Sequence, residues 1–309
     1  MGARRGGGLM LAEASVDDLP AAAELLSSLY ADGLFTVAGM RHRLECAPSW
    51  VQRRLLKWEE GERLVGWASC GLDHFSGDRE LGFVDVSVDP EFRRRGIGAA
   101  LLERAVEHVS ACGATRLEAF GTDDDQSRAF AEARGYAVKA RLRASCVDPR
   151  KLPPAPPPPP GVELRPFSEL APEAIHAVDL VVSRDIPNEE SIDGLDTAAV
   201  WTTQFWRDPE VDKELSLAAV LAGEVVAITM FRSDLERGRG ENDITGTLPA
   251  HRGRGLATLL KHASLRLAAE RGITTVSTGN DEENAAMLAI NTKLGYRPSS
   301  AWIRWEAAV

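Results

Sequence analysis

The sequence predicts an α+β protein made of two similar domains, each a splayed mixed β-sheet with helices on both faces. The phrase Arg93-Arg94-Arg95-Gly96-Ile97-Gly98 recurs as Arg252-Gly253-Arg254-Gly255-Leu256-Ala257. Around it, Pro90 matches Pro249 and Gly113 matches Gly272, both at an offset of 159 residues. In each half, hairpin patterns come before a strand–helix–strand pattern, which together favour a mixed sheet covered by helices.

The two copies are separated by a proline-rich segment. The chain of 309 residues is long enough for two domains that each bury a core. Residues 148–161 contain a run of five prolines and predict a semi-rigid polyproline II strut. We therefore expect one domain at 1–147, a linker at 148–161 and a second domain at 162–309.

Each half opens with the same succession of elements. Short strands at 10–12 and 162–167 come before helices that run through Leu29 and over 172–182. Alternating apolar residues then predict two hairpins, which are formed by 55–60 with 64–71 and by 215–221 with 224–231.

The repeated phrase lies between a strand and a helix in both halves. Strands at 82–88 and 243–248 lead into it, and apolar stripes predict helices at 97–112 and 256–271. A further strand, a short helix, a Gly-Tyr pair and a final strand close each half. Two related domains of this kind could pack face to face in one chain as an internal pseudo-dimer, so a monomer is expected.

Composition restricts the partners. A net charge of −10 argues against nucleic acid or an anionic membrane as a partner of the bulk surface. No apolar run approaches the ~20 residues of a membrane span, and residues 1–8 hold no secretion signal. Four scattered cysteines and six histidines lack metal-ligand spacing. We expect a cytoplasmic protein with no metal.

The repeated phrase has the chemistry of an anion site. Its glycines let backbone N–H groups approach a ligand, and the helix that follows presents the positive end of its dipole. Neither copy has the Gly-Lys-(Ser/Thr) of a Walker loop or the third glycine of a dinucleotide fingerprint. A short turn with arginine suits a pyrophosphate.

Both halves resemble members of a known enzyme family. The segments 88–102 and 247–261 resemble the acetyl-CoA motif of the GNAT superfamily of N-acetyltransferases, and 280–296 resembles that family's second signature. The resemblance covers nearly the whole chain, once in each half. It implies an acetyl-CoA-dependent N-acetyltransferase that transfers the acetyl group to a small-molecule amine by direct attack, with acetyl-CoA as co-substrate.

The resemblance also implies which residues hold acetyl-CoA. The pantetheine arm would lie beside the motif strand, the pyrophosphate on N–H groups of the glycine turn, and the acetyl carbonyl near an N–H at Val88 or Leu248. The implied cofactor-binding residues are Val88, Arg93, Arg94, Arg95, Gly96, Ile97, Gly98, Leu248, Arg252, Gly253, Arg254, Gly255, Leu256, Ala257 and Asn284.

The two copies differ in ways that favour the second as the active one. Asn284 stands where the family places an amide against the cofactor arm, whereas its counterpart is Asp124, within an acidic run that would repel phosphate. Many members carry a tyrosine general acid four residues before the Gly-aromatic pair. Asn291 and Ala131 occupy those positions here, so the group that protonates the thiolate is unassigned.

Glu241 and Asp243 are the candidate catalytic bases, because they lie at the start of the second motif strand. In the alternative reading, Glu241 belongs to the polar loop from Glu236 and Asp243 caps a strand. Asp85 is the analogous carboxylate of the first half. Two other functions stay open: a CoA-binding sensor or scaffold without turnover, and an acetyltransferase for protein or peptide amines.

Overall fold

The computed structural model describes residues 10–187 and 197–309, which form a single 12-stranded mixed sheet. The first nine residues, on which the secretion-signal argument depends, lie outside this range. In the first half (10–147) the elements are β1 Met10–Glu13, α1 Leu19–Leu29, α2 Val37–Glu45, β2 Arg54–Glu60, β3 Arg63–Leu72, β4 Leu81–Val88, α3 Ile97–Ala111, β5 Arg116–Thr122, α4 Asp125–Glu132 and β6 Ala137–Val147.

The second half (162–309) repeats this order. Its elements are β7 Val162–Pro166, α5 Pro172–Ser183, α6 Ala198–Trp201, β8 Leu217–Leu221, β9 Glu224–Asp234, β10 Arg239–Thr247, α7 Leu256–Glu270, β11 Thr275–Asp281, α8 Ala285–Lys293 and β12 Arg297–Ala308. A π-helical turn at Thr202–Trp206 extends α6. The predicted α+β class with mixed sheets is confirmed.

Helices cover both faces of the sheet because the residues of β3 alternate between two cores. Ala68, Cys70 and Leu72 pack in the cluster that contains α3, whereas Trp67 packs against α1. The elements predicted for the hairpins, the motif strands and the motif helices all occur on the expected sequence segments.

The two halves join edge to edge, with an exchange of their last strands. The strand order is β1-β2-β3-β4-β5-β12-β6-β11-β10-β9-β8-β7. Strand β12 of the second half pairs with β5 of the first, and β6 of the first pairs with β11 of the second. The expected face-to-face packing was wrong, because shared strands satisfy the backbone groups that each half would otherwise expose at a sheet edge.

The exchange mixes the hydrophobic cores. Ile303 and Trp305 of β12 are buried in the first half's core, and Val147 of β6 is buried beside Tyr296 in the second. The linker also docks: Leu152 packs against the second core, and the carbonyl of Pro153 lies 2.8 Å from Nε2 of His262. The boundaries at 147 and 162 stay a prediction, since contacts cross both of them.

Helix α2 was not predicted from the sequence. It contains a glycine and a polar run, but Thr36 caps it by accepting a hydrogen bond from the N–H of Gly39 at 3.0 Å. Glu210 of the second half then accepts bonds from the N–H and hydroxyl of Thr36, at 3.1 and 2.7 Å. A Cβ on Gly39 would lie 2.2 Å from that carboxylate, so glycine permits the contact.

Candidate active sites of the two halves

Each half splays open at the end of its motif strand. Strand β4 runs parallel to β5 for only three residue pairs, ending at Phe83 and Glu118. Strand β10 pairs with β11 for three as well, ending at Glu241 and Ser277. Beyond those pairs the strands have no common ladder, which leaves backbone groups at the opening available to a ligand.

In the first half this opening is a cavity of about 600 Å³. It lies between the N-terminus of α3 and helix α4. Of the residues predicted to bind acetyl-CoA, Val88, Arg93, Arg94, Gly96 and Gly98 line it. Two others point elsewhere: Ile97 is buried in the core, and Arg95 donates to the carbonyl of Glu91 at 3.1 Å.

The arginines of the first turn have different roles. Arg93 donates through Nε to the carbonyl of Val88 at 3.0 Å and so fastens the turn to the strand end. Arg94 has φ +63°, in the left-handed region that disfavours side chains, and makes no side-chain hydrogen bond or ion pair within the described ranges. Its guanidinium at the cavity is therefore available to a phosphate.

In the second turn, the arginine that bonds to the strand end is present, but a glycine replaces the unpaired arginine. Arg252 donates through Nε to the carbonyl of Thr247 at 3.1 Å and forms an ion pair with Asp185. Gly253, with φ +76°, stands in place of Arg94, and Arg254 lies 3.4 Å from Nδ1 of His251. Leu256 is buried in the core.

Two further predicted cofactor contacts in the second half are engaged in local hydrogen bonds. The N–H of Leu248 donates to the carbonyl of Val226 at 2.9 Å, so another N–H would have to polarise the acetyl carbonyl. The Asn284 side chain caps α8 by accepting from the N–H of Met287 at 3.1 Å. Its counterpart Asp124 caps α4 in the same way, and Asp123 is neutralised by Arg128 and Arg141.

The second half carries a carboxylate at the apex of its opening. Glu241 lies inside β10, in the last parallel pair with β11, so the polar-loop reading was wrong. That reading failed because Arg-Gly-Glu-Asn resembles a turn, whereas pairing on both sides makes it a strand. In the first half the register places Phe83 at the equivalent position, and Asp85 lies two residues further along.

Electrostatics raise the proton affinity of this carboxylate. Burial, together with the negative charge of Asp243, raises the pKa of Glu241 to about 7. Asp243 follows at a β-bulge between Asn242 and Thr245, and its carboxylate lies 3.6 Å from the guanidinium of Arg232. Burial also raises the pKa of Asp243. A carboxylate with a pKa near neutrality is suited to accept a proton at physiological pH.

A cluster of charges from both halves surrounds these two carboxylates. Arg232 forms ion pairs with Asp208 and with Glu210, the latter at 3.0 Å. Arg43 of α2 reaches across from the first half to Glu210 at 2.7 Å. Sequence reasoning missed this cluster because its members are distant along the chain.

The second half has two asparagines at positions where apolar residues line the first cavity. Asn242, Asn291 and Tyr296 are buried, and the Tyr296 hydroxyl donates to Oδ1 of Asn242 at 2.6 Å. The first-half residues at these positions, which line the cavity, are Val84, Ala131 and Tyr136. Trp305, from the exchanged β12, lines the first cavity. Trp201, by contrast, is buried in a hydrophobic core of the second half, where its Nε1 donates to Asp179 at 2.7 Å.

Comparison with known proteins agrees with this architecture. Residues 21–136 and 182–296 each match the model of the Acetyltransferase (GNAT) family. Among relatives, a mycothiol acetyltransferase of Nocardia farcinica is 30% identical over 262 residues, which covers 82% of this chain and 82% of that protein. Another, from Tsukamurella paurometabola, is 31% identical over 225 residues, which cover 70% of this chain and 74% of that protein.

Solved structures share the tandem fold. A tandem GNAT protein from the clavulanic acid biosynthesis pathway superposes with a TM-score of 0.76 at 23% identity, over 97% of this chain and 98% of that one. A GCN5-related N-acetyltransferase from Sphaerobacter thermophilus gives 0.73 at 20% identity, over 97% and 95%. The fold and the duplicated opening define a two-domain acyltransferase. The chain belongs to the GNAT acetyltransferase family, whose members use acetyl-CoA.

Among the helices of the described ranges, none has both the length and the apolar character of a membrane span.

Proposed function

We propose that the second half catalyses direct transfer of an acetyl group from acetyl-CoA to the amine of a small molecule. The observation that carries this proposal is Glu241, a carboxylate at the apex of the splayed strands with a pKa raised to about 7. Acetyl transfer to an amine needs a base that is ionised near neutral pH and still has appreciable proton affinity. The relatives named mycothiol acetyltransferase support a small-molecule acceptor.

Glu241 takes the proton that the amine loses on attack. Asp243, held by Arg232, adds negative charge that favours the approach of a cationic amine. Arg43 gives this region a contribution from the first half, so the acceptor meets residues of both halves. The turn 252–257 would hold the pyrophosphate through the backbone N–H groups of 253–257 and the N-terminus of α7.

We propose that the first half binds acetyl-CoA without transferring its acetyl group. Its cavity and the unpaired guanidinium of Arg94 suit a pyrophosphate. Phe83 stands where the second half has Glu241, and a phenyl ring cannot accept a proton. Asp85, whose pKa burial raises to about 6, lies two residues beyond that position, so we expect a cofactor site with no base at the apex of its opening.

A matched pair of substitutions tests the assignment. Gly98 and Ala257 are second residues of α3 and α7, and a Cβ on Gly98 meets Phe130 and Val88 at ordinary distances of 3.5 Å. Gly98→Asp and Ala257→Asp therefore each place a carboxylate against the pyrophosphate. Gly96 and Gly255 are poorer choices, since their φ values of +86° and +77° would strain any side chain.

Calorimetric titration with acetyl-CoA and turnover with a panel of amines are measured on both variants and the parent. We expect two binding events in the parent, one of which is lost in each variant, and loss of turnover in Ala257→Asp. Loss of turnover confined to Gly98→Asp would place the active site in the first half. Absence of acetyl-CoA binding by the parent would overturn the proposed function.

A further inference from the structure

A buried lysine lies in the second half at a position that lines the cavity of the first. Leu260 and Gly255 repeat Leu101 and Gly96, so Lys261 of α7 corresponds to Leu102 of α3. Leu102 lines the first cavity together with Val84, Ala131 and Tyr136. Lys261 is 1% exposed, so its side chain lies inside the second half and not on the surface of the helix.

The ammonium of Lys261 has no conventional partner. Its Nζ lies 5.1 Å from the centre of the Tyr296 ring, and it makes no hydrogen bond or ion pair with any described residue. Burying an uncompensated ammonium is costly, and burial lowers the pKa of Lys261 to about 7. The ring face offsets only part of that cost.

Neighbouring polar atoms are also unsatisfied. Oδ1 of Asn291 and Nδ2 of Asn242 are buried and have no hydrogen-bond partner within residues 10–187 and 197–309, although each residue makes one bond through its other amide atom. Buried polar atoms in native proteins are nearly always paired. Three unpaired polar groups on α7, α8 and β10, around Tyr296, are the features of a site that a polar ligand completes.

We propose that Lys261 is the proton donor to the CoA sulfur in the second half. This inference rests on the proposed function, because it needs acetyl-CoA in the second opening. Asn291 cannot act as an acid, and the Tyr296 hydroxyl already donates its hydrogen to Asn242. Because Leu102 lines the first cavity, its counterpart Lys261 corresponds to the inner wall of the second opening, where the thioester would lie beyond the pantetheine arm.

The step balances in protons and electrons. The amine nitrogen forms the new bond to the acetyl carbon, and Glu241 takes the proton that the amine loses. As the carbon–sulfur bond breaks, its electron pair goes to sulfur, and Lys261 passes a proton from Nζ to that sulfur to give the free thiol. The neutral Lys261 amine then regains a proton from water.

Ionisation of the bound CoA thiol gives a readout independent of turnover. The parent is Gly98→Asp, in which only the second site binds, and CoA is titrated with base while thiolate absorbance is followed. The ionisable groups around the Tyr296 ring are Cys146 of β6 and Glu241 of β10. The forming thiolate holds the proton on Lys261, so the ammonium–thiolate pair should lower the thiol pKa by about one to three units, and Lys261→Met should abolish that shift.

Two further variants separate charge, proton and structure. Lys261→Arg keeps a charge but cannot release a proton, so we expect a lowered thiol pKa with a kcat about 10²-fold or more below that of the lysine form. Lys293→Met removes the same charge from an exposed position at the end of α8 and should alter neither quantity. If Lys261 had only a structural role, Lys261→Met would leave the thiol pKa unchanged.

The outcomes distinguish this inference from the proposed function. CoA binding by the parent, with a thiol pKa that does not depend on Lys261, would overturn the role of Lys261 and leave the acetyltransferase proposal standing. Failure of CoA to bind the Gly98→Asp parent by calorimetry would overturn the second-half assignment and this inference with it. A thiol pKa that rises in Lys261→Met supports both.

Discussion

Glu241 and Phe83 occupy matching positions in the two halves, so a substitution at Glu241 tests the difference between the halves. Glu241→Gln keeps the shape and removes the base, and we expect turnover to fall by about 10²–10⁴-fold. In the wild type, kcat/KM should fall as pH drops through about 7, because the carboxyl then holds a proton. This limb should be absent in the variant. Asp85→Asn is the matched first-half control, and a larger loss there would contradict the assignment.

Lys261 predicts an unusual dependence of stability on pH. Its pKa is about 7 in the folded chain and about 10.4 when unfolded, so between these values only the unfolded state holds the proton. Burial of the charged ammonium therefore lowers the free energy of unfolding by its full amount below about pH 7. This penalty shrinks as the pH rises from about 7 to about 10.

We expect Lys261→Met to raise the free energy of unfolding by a few kcal/mol at acid to neutral pH, with the gain shrinking as the solution becomes alkaline. Calorimetric melting of both proteins across this pH range measures it. A gain that is constant with pH would mean that the substitution acts through packing alone.

At the scale of elements, the two glycine turns invite a direct exchange. Arg94 holds φ +63° where the second turn has Gly253, and a side chain in that region costs about 1–2 kcal/mol. Arg94→Gly should raise the free energy of unfolding by about 1 kcal/mol and weaken acetyl-CoA binding in the first half. Melting and calorimetric titration check the two effects. Arg95→Gly is the control: Arg95 is outside the left-handed region, so glycine there should lower stability.

The elements also mark how far sequence reasoning reaches. Strands and helices with strong periodicity, such as α3 and α7, could be predicted within one or two residues, since local pattern alone determines them. Helix α2 and the start of β10 could not, because a contact with Glu210 stabilises the first and pairing with β9 and β11 the second.

The same limit applies to the sites. The glycine turns are continuous in sequence and were found, whereas the charge cluster that brings together Arg43, Glu210, Arg232 and Asp243 depends on folding of both halves. Lys261 was hidden because one lysine in an amphipathic helix is usually exposed, and only packing shows it to be buried. The exchange of the last strands leaves no local signal in the sequence. The residue patterns of β6 and β12 would be the same whether each strand paired with its own half or with the other half.

At the scale of the whole molecule, the exchanged strands couple each half to the other. Trp305 belongs to the second half by sequence, is 3% exposed, and lies in the first half's core beside its cavity. Trp305→Ala should lower the free energy of unfolding by about 3–5 kcal/mol, as for other buried tryptophans. It should also weaken acetyl-CoA binding in the first half, because the cavity loses a wall. Titration of Ala257→Asp with and without Trp305→Ala isolates that site.

Trp206→Ala, which removes a half-buried tryptophan from the core of the second half, is the control. Weakened binding confined to the second half, measured in the Gly98→Asp background, would contradict the strand exchange.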